Sequence, residues 1–531
     1  MSEADYVVVG AGSAGCIVAS RLAERGLRVT LLEAGGPDGS RFLRVPGMVS
    51  IIHTVPQIKK RYDWGYYTVP QKHALGRRIP TVRGKVIGGS SSINGLLFVR
   101  GHKDNYDAWA REGCAGWGYD DVLPAFKRLE DWEGGASELR GAGGPIAVTR
   151  QKGLTPASQA WIEALTETLG VPFNDDYNGA SQEGATIFQQ SAKGGIRFSA
   201  AKGYLNGAQT LVVETGVTVT RVVIERGRAV GVEIIAGGEK RVVRAAREVI
   251  LCGGVFGSAQ ILMLSGVGPA AHLREHGLGV VADLPVGQNL HDHLFVPMTY
   301  LAPTAIHRGT PLHFLGGMIK EATRGDSWFG RTVFEGAGFV KSRHANGKPD
   351  LQIHTLPWSY PTPNQDKPVR PKVDTRPAIT VMPTLIYPKS RGSVQLASAD
   401  PNDAPLIDPN YLAEPDDTRF LLDGMKMIRE LMASARLKDV VTGELLPGPE
   451  FPDDAALAKE LPNRIHTVYH PVGTCRMGAA SDPRSVVDPQ LRVKGVEGLR
   501  VADASIMPSI TGGNTNAPAL MIGERAASML G

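Results

Sequence analysis

Apolar and polar positions near the N-terminus follow two different periods. Residues 6–9 form a short continuous apolar run, which is typical of a strand buried on both faces of a parallel sheet. In residues 13–25 the apolar side chains recur three and four positions apart, as they do on one face of a helix. Gly26 follows at the place where helices often end in a left-handed residue, and residues 28–32 form a second apolar strand. The pattern therefore predicts a βαβ unit at the start of the chain.

The glycines of this unit have the spacing of a dinucleotide-binding turn. Gly10, Gly12 and Gly15 form G-x-G-x-x-G directly after the first strand, and Glu33 ends the second strand. Such glycines allow close approach to a pyrophosphate and tight helix packing, and an acid at this distance can bind ribose hydroxyls. The chain contains 64 glycines, so only the ordered combination carries weight. A βαβ unit that binds nothing is the alternative, and the motif does not separate FAD from NAD.

The same periods predict further elements along the chain. Helices are predicted at residues 105–111, 119–131, 156–169, 258–264, 416–434 and 517–530. Three segments alternate in the manner of antiparallel strands, at residues 211–213, 217–224 and 229–235. Other strands are predicted at residues 248–252, 379–386, 392–398 and 499–502. Most of residues 300–380 are rich in proline and receive no assignment.

Composition narrows the class of protein. With 531 residues the chain exceeds the size of a single core, and its 42% hydrophobic and 21% charged residues are ordinary for a globular protein. The net charge of +5 comes without a long basic run bearing aromatic residues, so nucleic acid is not an expected partner. The four cysteines form no C-x-x-C pair, which argues against a zinc site and fits a reducing cytoplasm. We expect no signal peptide and no transmembrane segment.

Five ordered blocks give the chain a family resemblance over nearly its whole length. Besides the glycine motif, they are GKVIGGSSSIN, GVFGSAQILMLSGVG, DLPVGQNLHDH, YHPVGTCRMG and GGNTNAPALMIGERAA. In this order they resemble the glucose–methanol–choline oxidoreductases, which bind FAD and oxidise alcohols. Some stretches look most similar to bacterial alcohol and sorbose dehydrogenases, with choline dehydrogenases and oxidases further away.

The resemblance implies an α/β chain, α+β overall, with a Rossmann-like FAD-binding domain and a discontinuous substrate domain. The substrate domain is expected to be an antiparallel sheet flanked by helices. The FAD-binding domain is expected to comprise residues 1–155, 212–298 and 485–531. The substrate domain is expected to comprise residues 156–211 and 299–484.

The resemblance also implies which residues hold FAD. They are Gly10, Gly12, Ser13, Ala14, Gly15, Glu33, Ala34, Val86, Gly88, Gly89, Ser91, Asn94, Gly95, Val219, Asp503, Ala504, Asn514 and Thr515. Some family members attach the flavin through a histidine in the first block. Ile93 stands at that place here, so non-covalent FAD is expected.

Two residues in the C-terminal blocks are the expected catalytic pair. A neutral imidazole can take the proton of an alcohol, and the resemblance gives that role to His470, beside flavin N5. Asn514 is expected to orient the substrate oxygen, with Asn516 as the alternative for that position. Glu335 and His354 fall near cavity positions of relatives, although a structural carboxylate is the competing interpretation of Glu335.

The predicted reaction is oxidation of a primary alcohol or polyol to an aldehyde or ketone, with hydride transfer to flavin N5. The electron acceptor, quinone-like or O2, is left open. An alcohol oxidase acting on a choline- or pyridoxine-type substrate is the near alternative. An FAD-containing hydroxynitrile lyase and an inactive flavoprotein are alternatives of other classes. The segment His291, Asp292 and His293 suggests a metal only weakly, since no further ligand lies at useful spacing, and no metal is predicted. The oligomeric state is not predicted.

Overall fold

A computed structural model of the chain describes residues 4–205, 207–303, 309–360 and 374–530, and its architecture is mixed α/β. In these residues the helices are α1 (Ser13–Glu24), α2 (Arg41–Arg44), α3 (Val49–Thr54), α4 (Pro56–Tyr62), α5 (Lys103–Arg111), α6 (Tyr119–Leu129), α7 (Pro156–Leu169), α8 (Ala200–Tyr204), α9 (Gly254–Leu264), α10 (Ala270–Glu275), α11 (Pro311–Arg324), α12 (Pro415–Met432), α13 (Asp454–Arg464) and α14 (Asn516–Met529). Short 3-10 helices lie at Pro46–Met48, Lys72–Ala74, Gly89–Ser92, Trp328–Gly330 and Ala504–Ile506.

The strands, in the same described ranges, are β1 (Ala4–Val9), β2 (Val29–Glu33), β3 (Glu130–Trp132), β4 (Ile146–Arg150), β5 (Gly184–Ile187), β6 (Gln189–Gln190), β7 (Ala192–Lys193), β8 (Ile196–Arg197), β9 (Leu211–Thr215), β10 (Val217–Glu225), β11 (Arg228–Ala236), β12 (Glu239–Leu251), β13 (Val267–Gly268), β14 (Ala282–Asp283), β15 (Leu294–Phe295), β16 (Met298–Leu301), β17 (Gly336–Val340), β18 (Leu351–Leu356), β19 (Ala378–Leu385), β20 (Ser393–Gln395), β21 (Leu406–Asp408), β22 (Gly443–Leu446), β23 (His466–Thr467) and β24 (Leu499–Val501).

The first sheet is built around β1, in the order β10-β11-β12-β1-β2-β9, with β24 paired to β12. The predicted βαβ unit is confirmed, because β1 and β2 pair in parallel and α1 connects them. Val7 and Val8 are fully buried, as expected for a parallel strand covered on both faces. Helix α1 packs against α14, so the C-terminal helix closes the unit that the N-terminus begins.

One strand prediction for this sheet is wrong. Residues 211–213 were expected to be antiparallel, but β9 pairs with β2 in parallel. Two or three alternating residues look the same in either orientation, and the partner strand decides between them. The antiparallel prediction is confirmed for β10 and β11. Strand β12 is far longer than residues 248–252, because its charged first half pairs with β11 and only its apolar end pairs with β1.

The second sheet is antiparallel, in the order β22-β16-β19-β18-β17-β5, with β15 joining β19 to β23. Helices α7 and α12 pack against this sheet. Successive side chains on its strands point to opposite faces. Ile353 and Val381 therefore enter a core that also contains side chains of α7 and α12, while Leu356 and Met382 belong to a separate cluster on the other face.

Much of this second region was unassigned from the sequence. Helix α11 and strands β17 and β18 all fall within residues 300–380, part of which lies outside the described residues. Polar Gln352 and His354 interrupt the apolar pattern of β18, because that face of the strand does not enter the core. The division into two discontinuous domains with the boundaries given above stays a prediction. No helix in the described ranges combines the length and the apolarity needed to cross a membrane.

Candidate active site

A continuous cavity of about 2000 Å³ lies between the two sheets, and residues from both line it. Pockets for a single small ligand usually measure about 300–1000 Å³, so this cavity has room for a dinucleotide together with a substrate. We call the part around residues 10–15 the glycine-loop end. We call the part around His470, walled by Phe295, Leu356 and Met382, the base chamber.

The glycine-loop end leaves no room for side chains where the backbone turns. Gly10 has a φ of +96°, and a Cβ there would lie 2.5 Å from the carbonyl oxygen of Cys252. A Cβ on Gly15 would lie 1.9 Å from the carbonyl oxygen of Gly10, so α1 approaches the turn as closely as the motif predicts. Gly12, Ser13 and Ala14 line the cavity in front of this contact.

Two helix N-termini open into the cavity beside each other. Helix α1 starts after Gly12 and α14 after Thr515, and neither start has a side-chain cap or an acidic residue in its first turn. The Ser13 hydroxyl donates to Asn516 Oδ1 at 2.8 Å and ties the two helix starts together. Free amides and the positive ends of two helix dipoles form an environment for phosphate oxygens, so the residues present fit the pyrophosphate of FAD.

Glu33 lies on the cavity wall, but its carboxylate is already held by the backbone. It accepts hydrogen bonds from the amides of Ala11 at 2.9 Å and Gly35 at 2.8 Å. Burial raises the pKa of Glu33 to about 7, against the effect of these amides. A carboxylate fixed in this way also has oxygen lone pairs left for ribose hydroxyls, and that role stays a prediction.

Most of the other expected cofactor residues also lie on the cavity wall. They are Ala34, Gly89, Asn94, Gly95, Val219, Asp503, Ala504, Asn514 and Thr515. The remaining four, Gly15, Val86, Gly88 and Ser91, do not line the cavity, and any contact of theirs with FAD stays a prediction. In the structure, Gly15 packs against the turn, Val86 is a core residue, and Ser91 donates to the carbonyl of left-handed Gly88. Ile93, at the place of the attachment histidine, presents an aliphatic side chain to the cavity.

His470 and Asn514 come together as predicted from the sequence, and two further residues extend the pair. Asn514 Nδ2 lies 3.2 Å from His470 Nε2, and Gln352 Nε2 donates to Asn514 Oδ1 at 3.0 Å. On the other side of the ring, His293 Nδ1 lies 3.1 Å from His470 Nδ1. His293 Nε2 lies 3.0 Å from the carbonyl oxygen of Ile386.

The carbonyl of Ile386 sets the direction of every hydrogen bond in this chain of contacts. A carbonyl only accepts, so His293 carries its proton on Nε2 and, being neutral, offers the lone pair of Nδ1. His470 therefore donates from Nδ1, and its Nε2 keeps a lone pair that accepts from Asn514. This arrangement requires the amide oxygen of Asn514 to face Gln352, which is where the Gln352 donor lies. His470 is thus held as a neutral ring with its basic nitrogen at Asn514 and the cavity wall.

Electrostatics favour the same neutral form. Burial lowers the pKa of His470 well below its ordinary value, and His293, His354 and Arg83 lower the pKa further. Burial also lowers the pKa of His293 to about 3. Both rings are neutral at pH 7, which is the state that a proton acceptor requires.

The segment around Asp292 supports the backbone of the base. Asp292 Oδ1 accepts from the amide of His470 at 2.8 Å, and Oδ2 accepts from Tyr411 at 2.8 Å and from the Thr467 hydroxyl. Tyr469, with a φ of 64°, presents its carbonyl to Arg83. Asp292 and His293, considered above as weak candidates for a metal site, instead hold the backbone and the ring of His470.

The two expected substrate-cavity residues behave differently. His354 lines the cavity, its Nδ1 lies 3.2 Å from the Thr384 hydroxyl, and burial lowers its pKa to about 3. The expectation that Glu335 also lines the cavity is wrong. Its buried carboxylate accepts from the amide of Thr155 at 3.0 Å and from the Thr155 hydroxyl at 2.7 Å, directly before α7. These contacts favour the competing interpretation, in which Glu335 is a structural carboxylate.

Several chamber residues were missed by sequence reasoning. Phe295, Leu356, Met382 and His466 line the chamber, and His293 and Gln352 contact His470 and Asn514 from behind its wall. The one available signal was His293, which lies in a block shared with the family. The apolar residues carry no such signal, because any strand contains residues of their kind.

Comparison with known proteins gives the site its context. The N-terminal sequence model of the family described as GMC oxidoreductase matches residues 4–295, and the C-terminal one matches residues 388–523. An oxygen-dependent choline dehydrogenase from Brucella suis is 41% identical over 542 residues, with 99% of this chain and 95% of that protein covered. A protein of the same name from Rhizobium johnstonii is 40% identical over 533 residues, with the same coverage.

Solved structures share the fold over the whole chain. Pyridoxine 4-oxidase from Mesorbium loti has a TM-score of 0.87 at 30% identity, and 99% of each chain is covered. A variant of the formate oxidase of Aspergillus oryzae has a TM-score of 0.90 at 28% identity, with 99% of this chain and 98% of that chain covered.

Proposed function

The chain belongs to the GMC oxidoreductase family, and from this premise we propose how its residues carry out the oxidation of an alcohol. The family and its relatives make the protein an FAD-dependent alcohol oxidoreductase. The proposal concerns the residues that act. One observation carries it: the directed hydrogen bonds that leave the lone pair of His470 Nε2 at the cavity wall, next to the amide of Asn514.

In the proposed reaction, His470 Nε2 takes the hydroxyl proton of the bound alcohol. The hydroxyl replaces the direct contact between His470 and Asn514: its proton goes to Nε2, and its oxygen accepts the Nδ2–H of Asn514. Gln352 keeps the amide of Asn514 in this orientation. FAD, when bound, supplies the acceptor for the hydride that leaves the alcohol carbon.

His293 acts as a positioning residue in this proposal. It accepts the Nδ1–H of His470 and so fixes which nitrogen is basic. When His470 takes up a proton on Nε2, the charged ring still has an acceptor for its Nδ1–H in His293. The protonated state is therefore formed without leaving a buried donor unpaired.

We further propose that FAD is held non-covalently, by the glycine-loop end and the two helix starts. The support is the aliphatic side chain of Ile93 on the cavity wall and the fit of the two N-termini to a pyrophosphate. Acid precipitation of the yellow protein should then release its colour into the supernatant. Colour that stays in the pellet would contradict the proposal.

The electron acceptor is proposed to be O2, with a quinone-like acceptor as the alternative. The support is that the relatives include an oxygen-dependent choline dehydrogenase and a pyridoxine 4-oxidase. A cytoplasmic location is also proposed. It is supported by the four cysteines, which are free and buried, as in a reducing compartment.

Anaerobic addition of alcohols to the purified yellow holoenzyme tests the reaction class. Bleaching of the flavin absorbance is expected with at least one primary alcohol. Readmitted air should then restore the colour and consume oxygen if O2 is the acceptor, whereas slow recovery favours the quinone-like acceptor. An enzyme that cleaves a cyanohydrin without any bleaching would instead be a hydroxynitrile lyase.

A further inference from the structure

We propose that the alcohol oxidised here is uncharged and apolar, with a branched or aromatic group, and that it is neither a quaternary ammonium alcohol nor a polyol. The inference deepens the proposed function and rests on it. It separates this chain from the substrate named for its curated relatives, because the wall of the base chamber has the wrong chemistry for a cationic alcohol.

The wall is set by strand register. On β18, His354 and Leu356 face the chamber, and His354 pairs with Met382 on β19. Phe295 on β15 pairs with Thr384 on one side and His466 on the other. The pairing therefore places Phe295, Leu356 and Met382 on the chamber side of one sheet, where they form a single apolar cluster.

Aromatic rings complete this wall. The ring of Phe295 stacks on His466 with centroids 5.5 Å apart and meets the ring of Tyr360 edge-on at 5.5 Å. Trp358 meets the ring of Phe314 at 5.8 Å, and both line the cavity. A surface of this kind gains free energy by covering an apolar group. Besides His470 and Asn514, the buried unpartnered polar atoms of its described residues are Nε2 of His354 and Nε2 of His466, fewer than the hydroxyls of a polyol.

Aromatic rings can also bind a quaternary ammonium group, so the charges around them decide between the two substrates. Arg83 and Arg77 both line the cavity. Arg83 lowers the pKa of His470, and Arg77 lowers the pKa of His466. Both cations oppose a cationic substrate. Asp292 is turned toward Tyr411, Thr467 and the backbone of His470 and does not line the cavity.

The carboxylates that do line the cavity, among the residues the structure describes, are engaged elsewhere. Glu33 is bound by backbone amides at the glycine-loop end. Asp503 accepts from the amide of Gly254 and the hydroxyl of Ser258. Asp63 accepts from the amide of Arg83 and lies 3.8 Å from the amine of Lys59. Among the described residues, the chamber wall therefore offers a cationic alcohol aromatic rings but no carboxylate that is free to pair with its charge.

Choline and 3,3-dimethylbutan-1-ol test the inference directly, because they differ in shape very little and in charge by one unit. Anaerobic stopped-flow bleaching of the holoenzyme should give the neutral alcohol a second-order rate constant of flavin reduction at least about tenfold above that of choline. Benzyl alcohol should likewise exceed sorbitol. Choline as the better substrate of the first pair, or sorbitol as the better one of the second, would overturn the inference.

A binding measurement provides a readout that does not depend on turnover. Titration of the protein with each alcohol should change its tryptophan fluorescence only for the neutral, apolar members, and the Trp358→Phe variant should lose most of that change. An equal response to choline would contradict the inference. If no alcohol bleaches the flavin at all, the proposed function is contradicted, and the inference that rests on it is contradicted as well.

A charge placed in the wall sharpens the test. Phe295→Glu should raise the ratio of choline to 3,3-dimethylbutan-1-ol in kcat/KM by about tenfold or more over that of the matched Phe295→Gln variant. Leu356→Glu against Leu356→Gln repeats the comparison on another strand, should either Phe295 variant fail to retain FAD. An unchanged ratio in the folded, yellow variants would show that charge in this wall does not select the substrate.

Discussion

The glycine-loop end and the base chamber hold their ligands by different means. The first presents the backbone: tight glycines, two helix starts, and a carboxylate fixed by amides. The second presents side chains that come from β15, β18, β19 and the segment before His470. A site built from backbone suits a group common to all dinucleotides, whereas side chains can select one substrate. Changes at the first end should therefore alter FAD occupancy, and changes at the second should alter rates.

The largest expected effect is that of His470→Ala. We expect anaerobic flavin reduction by the best alcohol to fall by about 10²–10⁴-fold with FAD retained, because the variant has no proton acceptor. Stopped-flow absorbance after an FAD occupancy check measures it. His354→Ala is the matched control, a second chamber histidine that does not touch Asn514, and it should lose less than about tenfold. The reverse order of the two losses would move the base to His354.

Asn514→Ala should leave a measurable remainder of activity. The amide only orients the alcohol oxygen and supports its developing charge, so a loss of up to about 10²-fold is expected. The same stopped-flow assay applies, with Asn516→Ala as the control at the neighbouring position. A greater loss in the Asn516 variant at full occupancy would assign the role to Asn516 instead.

His293→Phe tests whether the base is positioned through its other nitrogen. Without the acceptor, His470 can carry its proton on Nε2, and we expect flavin reduction to slow by about tenfold or more. The pH at which the rate falls should also shift, which a purely structural role would not require. His293→Asn, whose amide oxygen can accept from Nδ1, should recover part of the rate. No recovery and an unshifted profile would count against the positioning role.

The smallest effect on the chemistry is expected at the other end of the cavity. Glu33→Ala should weaken FAD retention by about tenfold, as loss of a buried hydrogen-bonding partner does. At full occupancy the reduction rate should match the wild type, because Glu33 binds backbone around the glycine turn and not the base chamber. Titration of the FAD-free protein with FAD, followed by stopped flow, separates the two quantities. A Glu33→Ala variant that is fully occupied by FAD but reduces its flavin slowly would contradict the claim that the two ends of the cavity have separate roles.

The two ends also differ in how much of them the sequence predicts. The turn at Gly10, helix α1 and Glu33 follow from contiguous residues, because each element's own pattern is enough to predict it. Helix α7 was predicted at its observed bounds, since Pro156 starts it and left-handed Gly170 follows it. His470 and Asn514 were found through family blocks.

The features that the sequence did not predict depend on pairing between strands that are far apart in the chain. The orientation of β9 is fixed by its neighbour β2, and the chamber face of β18 is fixed by its register with β19. Glu335 was misplaced for the same reason, because its partner Thr155 is remote in the sequence. In sequence, a polar residue before an apolar strand looks the same whether its side chain faces a cavity or binds the capping residue of a distant helix.

The central claim is that His470 is a neutral base whose proton affinity is reduced by burial. The pH dependence of anaerobic flavin reduction, followed by stopped flow in the wild type and in His470→Ala, tests it most directly. Because the neutral ring is the active form, the rate should be level near neutral pH and should fall only below the ordinary histidine pKa of 6.5. That acid limb should be absent from the variant. A wild-type rate that still rises with pH above 6.5, or an acid limb that persists unchanged in His470→Ala, would contradict the account.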